Sequence, residues 1–111
     1  MLRPATATIY KLLVTLRAVE PAVWRRLEVE DCSLSMLHRT IQAAMGWQDC
    51  HAHHFEIGDV KYTSEEAIGD LDFHSDDSIK ISDIVAAGQE SFNYTYDIGD
   101  PWDHTVTIEK R

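Results

Sequence analysis

Apolar and polar residues alternate with a period of two from Thr8 to Arg17, where Tyr10, Leu12, Val14 and Leu16 share one face and Lys11, Thr15 and Arg17 the other. That alternation predicts a half-buried β-strand. Beyond Glu20-Pro21-Ala22 the pattern resumes, with Val23, Leu27 and Val29 opposed to Trp24, Arg26 and Glu28, so a second strand is expected to pair antiparallel with the first. Arg25 and Arg26 then point to opposite faces. From Leu34 the period lengthens: Leu34, Leu37, Ile41 and Met45 recur at helical spacing, with Ser33 placed to cap the start and Gly46 to close the end. His38 sits beside this apolar stripe.

The cluster Cys50-His51-Ala52-His53-His54-Phe55-Glu56-Ile57 reads as a third strand, with His51 and His53 on the face of Phe55 and Ile57. Gly58-Asp59 signals a turn into a short returning strand, Val60 to Thr63. Thr63 to Ser78 is acidic and aperiodic, which predicts a surface loop with at most one helical turn; loops of this length are often functional. Ser82 is then placed to cap a short helix, Asp83 to Ala87, stopped by Gly88.

Phe92 to Glu109 predicts a hairpin. With Gly99, Asp100 and Pro101 as the loop, Ile98 pairs with Trp102, Tyr96 with His104, Tyr94 with Val106 and Phe92 with Ile108, which segregates an apolar face from a polar one. A slip by one residue would mix the two sets. In this register Asp97 faces Asp103 beside Asp100, an arrangement that calls for a cation, while His104 points toward the core and needs a partner.

The chain has 111 residues and a formal charge of -9, which opposes binding to nucleic-acid phosphates, an interaction that draws its affinity from Lys and Arg. The basic exception is a patch that Arg17, Arg25, Arg26 and Arg39 would form if they gathered on one surface. The N-terminal apolar stretch is broken by Lys11 and Arg17 and reads as a strand rather than a leader, and no run approaches a membrane span. Cys32 and Cys50 flank the predicted helix, whose ends lie on the order of 20 Å apart, too far for a disulfide. A reduced, cytoplasmic protein is the expectation.

Pro21-Ala22-Val23-Trp24-Arg25-Arg26, Leu37-His38, Ile41-Gln42, Gly46-Trp47, His51-Ala52-His53-His54-Phe55 and Tyr94-Thr95-Tyr96-Asp97-Ile98-Gly99-Asp100-Pro101-Trp102-Asp103-His104 together resemble the plasmid pRiA4b ORF-3-like family, whose members are also known as insertion-element passenger TnpR proteins. The resemblance implies a compact α+β domain with an antiparallel sheet and helices against it, and an association with mobile elements. The TnpR label suggests a resolvase, yet no region equates with a recombinase catalytic domain. Ala52 stands where a leucine is usual, and His54 where an acid or amide is more common.

The expected architecture is therefore a single α+β domain over residues 1–111, with an antiparallel sheet of five or six strands packed against the Leu34 to Met45 helix and the short helix near an edge. For function, the first reading is a non-catalytic module binding a small molecule or protein near the YDIGDPWDH turn, through Tyr96, Asp97, Asp100, Trp102 and His104, with Arg25 and Trp24 alongside. The second is a metal-dependent, hydrolytic site in which His51, His53 and His104 hold zinc, or Asp97, Asp100 and Asp103 a harder divalent cation. The third, prompted by the mobile-element association, is a nucleic-acid accessory factor. No Ser, Cys or Lys nucleophile arrangement is visible in the sequence.

Overall fold

The computed structural model describes residues 8–17, 20–47, 52–68, 72–97 and 102–110. Ten elements follow in chain order: β1 (Ile9–Leu16), β2 (Val23–Glu30), α1 (Leu34–Met45), β3 (His53–Ile57), β4 (Val60–Thr63), α2 (Glu65–Ile68), β5 (His74–Ser75), α3 (Ile81–Ala86), β6 (Ser91–Tyr96) and β7 (Trp102–Lys110). The strands form one sheet in the order β2-β1-β7-β6-β3-β4-β5.

This corrects the expected antiparallel sheet of five or six strands. The sheet has seven strands and is mixed, because β5 adds to β4 in parallel through Tyr62 opposite His74 and Thr63 opposite Ser75. A parallel neighbour requires a crossover rather than a tight turn. The acidic segment expected to be a loop supplies that crossover, with α2 as its helical turn. A strand of two residues carries no periodicity, so nothing in the hydrophobic pattern could announce it.

The alternation does predict the faces. Tyr10, Leu12, Val14 and Leu16 of β1, Phe92, Tyr94 and Tyr96 of β6, Val106 of β7 and Phe55 of β3 are all buried on one side. With Leu34, Leu37 and Ile41 of α1 and Ile81 and Ile84 of α3, most of them form one apolar cluster. Helix α1 has the expected bounds: Met36 N–H donates to Ser33 Oγ at 3.2 Å, and Gly46 closes the helix at φ 76°. Helix α3 begins two residues earlier than expected. Lys80 rather than Ser82 precedes it, and Asp83 Oδ2 accepts from Lys80 N–H at 2.9 Å.

The terminal hairpin is offset from its expected register by two residues. Tyr96 lies opposite Trp102, Tyr94 opposite His104 and Phe92 opposite Val106. An even offset preserves which side chains share a face, so Tyr96 and His104 remain together on the buried side. The polar side changes more. Asp103 faces Thr95, whose hydroxyl donates to Asp103 Oδ1 at 2.7 Å, while Asp97 has left the strand at φ 60° and donates its N–H to Ala52 O. The expected clash of Asp97 with Asp103 is absent, because a hydroxyl stands where the second carboxylate was expected. Asp100 lies outside the described residues. No helix among the described residues is long and apolar enough to cross a membrane.

Candidate functional site

At the start of β3 the backbone brings a histidine and an aspartate together inside the protein. His53 opens the strand with its side chain on the helix-covered face, and Thr63 at the end of β4 donates its hydroxyl to His53 O at 2.6 Å. Just after β5, Asp76 is clamped through its backbone: its N–H donates to Thr63 O at 2.8 Å, and its carbonyl accepts from Ser35 N–H at 3.1 Å in the first turn of α1. Thus β4, β5 and α1 fix the Asp76 carboxylate against the imidazole. His53 Nε2 and Asp76 Oδ2 are 2.7 Å apart, a short hydrogen bond to a carboxylate of the stronger kind. Both residues are buried; Asp76 is 2% exposed.

The second layer comes from α1. His38 stacks face to face on His53, with ring centroids 3.6 Å apart and planes 10° from parallel. Its Nδ1 lies 2.7 Å from the Tyr94 hydroxyl, to which Gln42 Nε2–H also donates at 2.9 Å. His38 and Gln42 are four residues apart, and an α-helix projects such residues from one face. Asp76, His53, His38, Tyr94 and Gln42 therefore form a continuous polar network within the apolar cluster.

Above this network opens a cleft of ≈ 300 Å³, lined by His38, His53 and Asp76 together with Ser35, Arg39, Ser64, Glu65, Glu66 and Asp77. Four carboxylates and one guanidinium give the rim and floor an excess of negative charge. Apolar ligands have little to match here. An amine or guanidinium, able to donate several hydrogen bonds to carboxylates, does.

The residues singled out from sequence divide between three places. Tyr96, Trp102 and His104 come together at the hairpin end of the buried face, where Trp47 packs on Tyr96 at 5.7 Å and on Trp102 at 5.5 Å between ring centroids. His104 is fully buried, its Nδ1 3.2 Å from Tyr94 O, and burial holds its pKa below the usual histidine value. Trp24 and Arg25 lie on β2, at the far edge of the sheet from β3. Four strand spacings separate β2 from β3, on the order of 20 Å, and three separate it from β6, so neither residue joins His53 or Tyr96. Trp24 instead lies under the Arg26 guanidinium at 5.2 Å, and Arg26 pairs with Glu109. His51 and Asp100 lie outside the described residues, and Asp97 ends beside Ala52 rather than beside Asp103.

For the metal reading, His53 and His104 stand on β3 and β7 with β6 between them, and the Tyr94 ring touches both. No group of three or more His, Cys, Asp or Glu side chains suited to a metal ion occurs among the described residues. Arg25 and Arg26 project to opposite faces of β2, and Arg39 lines the cleft, so these arginines do not gather on one surface. His54 looks away from the cleft toward Phe73. Burial first, and Lys61 next, lower its pKa.

Sequence patterning missed Asp76, Glu65, Glu66 and Asp77 as members of a site. They fall in the acidic segment whose composition reads as a solvated face; its length was the one available signal.

The family model for the plasmid pRiA4b ORF-3-like protein matches residues 8–111. The chain belongs to this family. A similar protein is the uncharacterised protein y4hQ of Sinorhizobium fredii, 40% identical over 106 residues that cover 94% of this chain and 55% of the relative. A protein of unknown function from Methanosarcina mazei Go1 has a similar solved structure, with a TM-score of 0.81 and 34% identity over 92% of this chain and 59% of the other. This family member thus spans little more than half the length of either. Of the segments that carry the family resemblance, Leu37-His38, Ile41-Gln42, His53-His54-Phe55 and Tyr94 all supply side chains to the polar network or its immediate packing, whereas Trp24-Arg25-Arg26 builds a separate patch on the sheet edge.

Proposed function

We propose that this domain is a ligand-binding module and that the His38–His53–Asp76 cleft receives a small cationic group, an amine or guanidinium, from a metabolite or a peptide side chain. The observation that carries this reading is the buried His53–Asp76 pair at the floor of a cleft that opens to solvent. Placing a carboxylate and two imidazoles in an apolar interior costs free energy that folding alone gives no reason to accept. Polar groups held rigidly at the base of a concavity are the usual means of orienting a ligand. The carboxylates around the rim supply the sign of the charge, and Asp76 and Glu65 or Glu66 stand on different elements, so a donor with several N–H groups can bridge them.

Calorimetric titration with arginine amide, and with sodium acetate as the opposite charge, tests the reading. Binding of arginine amide that is lost in Glu65→Gln/Glu66→Gln and absent for acetate supports it. Equal behaviour of wild type and variant would rule the cleft out as the site.

A further inference from the structure

A second place, apart from the cleft, presents buried polar atoms with no hydrogen-bond partner among the described residues. His104 is fully buried on β7. Its Nδ1 lies 3.2 Å from Tyr94 O; a carbonyl only accepts, so Nδ1 carries the proton and donates. The desolvated ring is held below its ordinary pKa, hence neutral near pH 7, which leaves Nε2 as a lone-pair acceptor. That Nε2 is shielded from solvent and meets no donor among the described residues. Beside it, the Trp47 indole meets the imidazole at 84° with centroids 6.4 Å apart. Trp47 Nε1–H, a donor only, is likewise shielded and without an acceptor among the described residues.

One orphaned acceptor and one orphaned donor thus lie on adjoining rings. We propose that Trp47 Nε1–H and His104 Nε2 together bind one hydroxyl group, which donates to the imidazole and accepts from the indole. The chemistry is selective. A carboxylate or carbonyl would satisfy the indole and leave the imidazole unpaired, and an ammonium would do the reverse. The Trp47 ring also packs on those of Tyr96 and Trp102, and Trp102 is 37% exposed, so this aromatic cluster reaches the surface. The hydroxyl belongs either to a retained water or to an alcohol or polyol whose carbon face packs on these rings.

Proton NMR of the full chain in water tests this, first in buffer and then with glycerol as probe. In buffer the Trp47 indole proton shows a cross-peak to a long-lived water, and the peak disappears in His104→Leu while the Trp24 indole is unchanged. If glycerol replaces the water peak with one to its own protons, the hydroxyl site accepts ligands; if the water peak persists, it holds a structural water. A Trp47 indole proton with no cross-peak to water or glycerol in the wild type overturns the proposal, and that measurement does not depend on the variant folding.

Discussion

At the scale of single residues, the structure turns on buried polar side chains held by hydrogen bonds to one another. The Tyr94 hydroxyl is the hub, within hydrogen-bond distance of both His38 and Gln42. Tyr94→Phe keeps the ring packing against Phe55 but removes a buried hydroxyl from both neighbours. We expect a loss of about 1–3 kcal/mol in urea denaturation. Asp76→Ala should cost about 1.5–3 kcal/mol in the same assay, as a hydrogen bond to a charged group is removed from the interior. His104 and His54 add a pH dependence. Both have pKa values lowered mainly by burial, so the unfolded chain takes up protons more readily than the folded one. The stability they contribute is complete above their ordinary value of 6.5 and declines as pH falls below it, through their lowered folded values. Denaturation midpoints that fall between about pH 7.5 and about pH 5.5, and fall less in His104→Leu, would bear this out. Midpoints that rise on acidification would contradict it.

At the scale of elements, local signals decide what was legible beforehand. Helix α1 was readable to the residue because its cap, its apolar stripe and its terminal glycine agree. Gly46 has φ 76° and open space where a Cβ would stand, so Gly46→Ala brings backbone strain without a clash. A cost of about 1–2 kcal/mol in thermal denaturation is expected. The faces of β1, β6 and β7 and the antiparallel pairing of β6 with β7 were readable from alternation and the turn signal, but the register of that pair was not: parity fixes which side a residue takes and leaves an even offset free. With it went the facing aspartates and the cation they seemed to demand. The cleft was least legible. Of its lining, His53 was a candidate and His38 lay beside the apolar stripe, yet their stacking depends on α1 crossing β3, and Asp76 follows a two-residue strand that no periodicity marks. Segments as polar as Thr63 to Ser78 look solvated from composition even when one carboxylate in them is buried.

At the scale of the whole molecule, a mixed sheet with helices on one face divides stability unevenly. The centre, β1-β7-β6, carries the apolar cluster, whereas β2 and the short β5 form the edges. Hydrogen exchange should therefore be slowest for amides of β1, β6 and β7 and fastest in β5 and the outward amides of β2. The cleft lies between the β4–β5 edge and the first turns of α1, so part of its lining rests on the less stable side, which suits a site that adjusts around a ligand. The most direct test of the central claim is a backbone and imidazole NMR titration with arginine amide. The account predicts shifts that centre on Ser35, His38, His53, Ser64 to Glu66 and Asp76, with both stacked imidazoles responding together. Shifts confined to the Trp24–Arg26 edge, or a spectrum that arginine amide leaves unchanged, would contradict it.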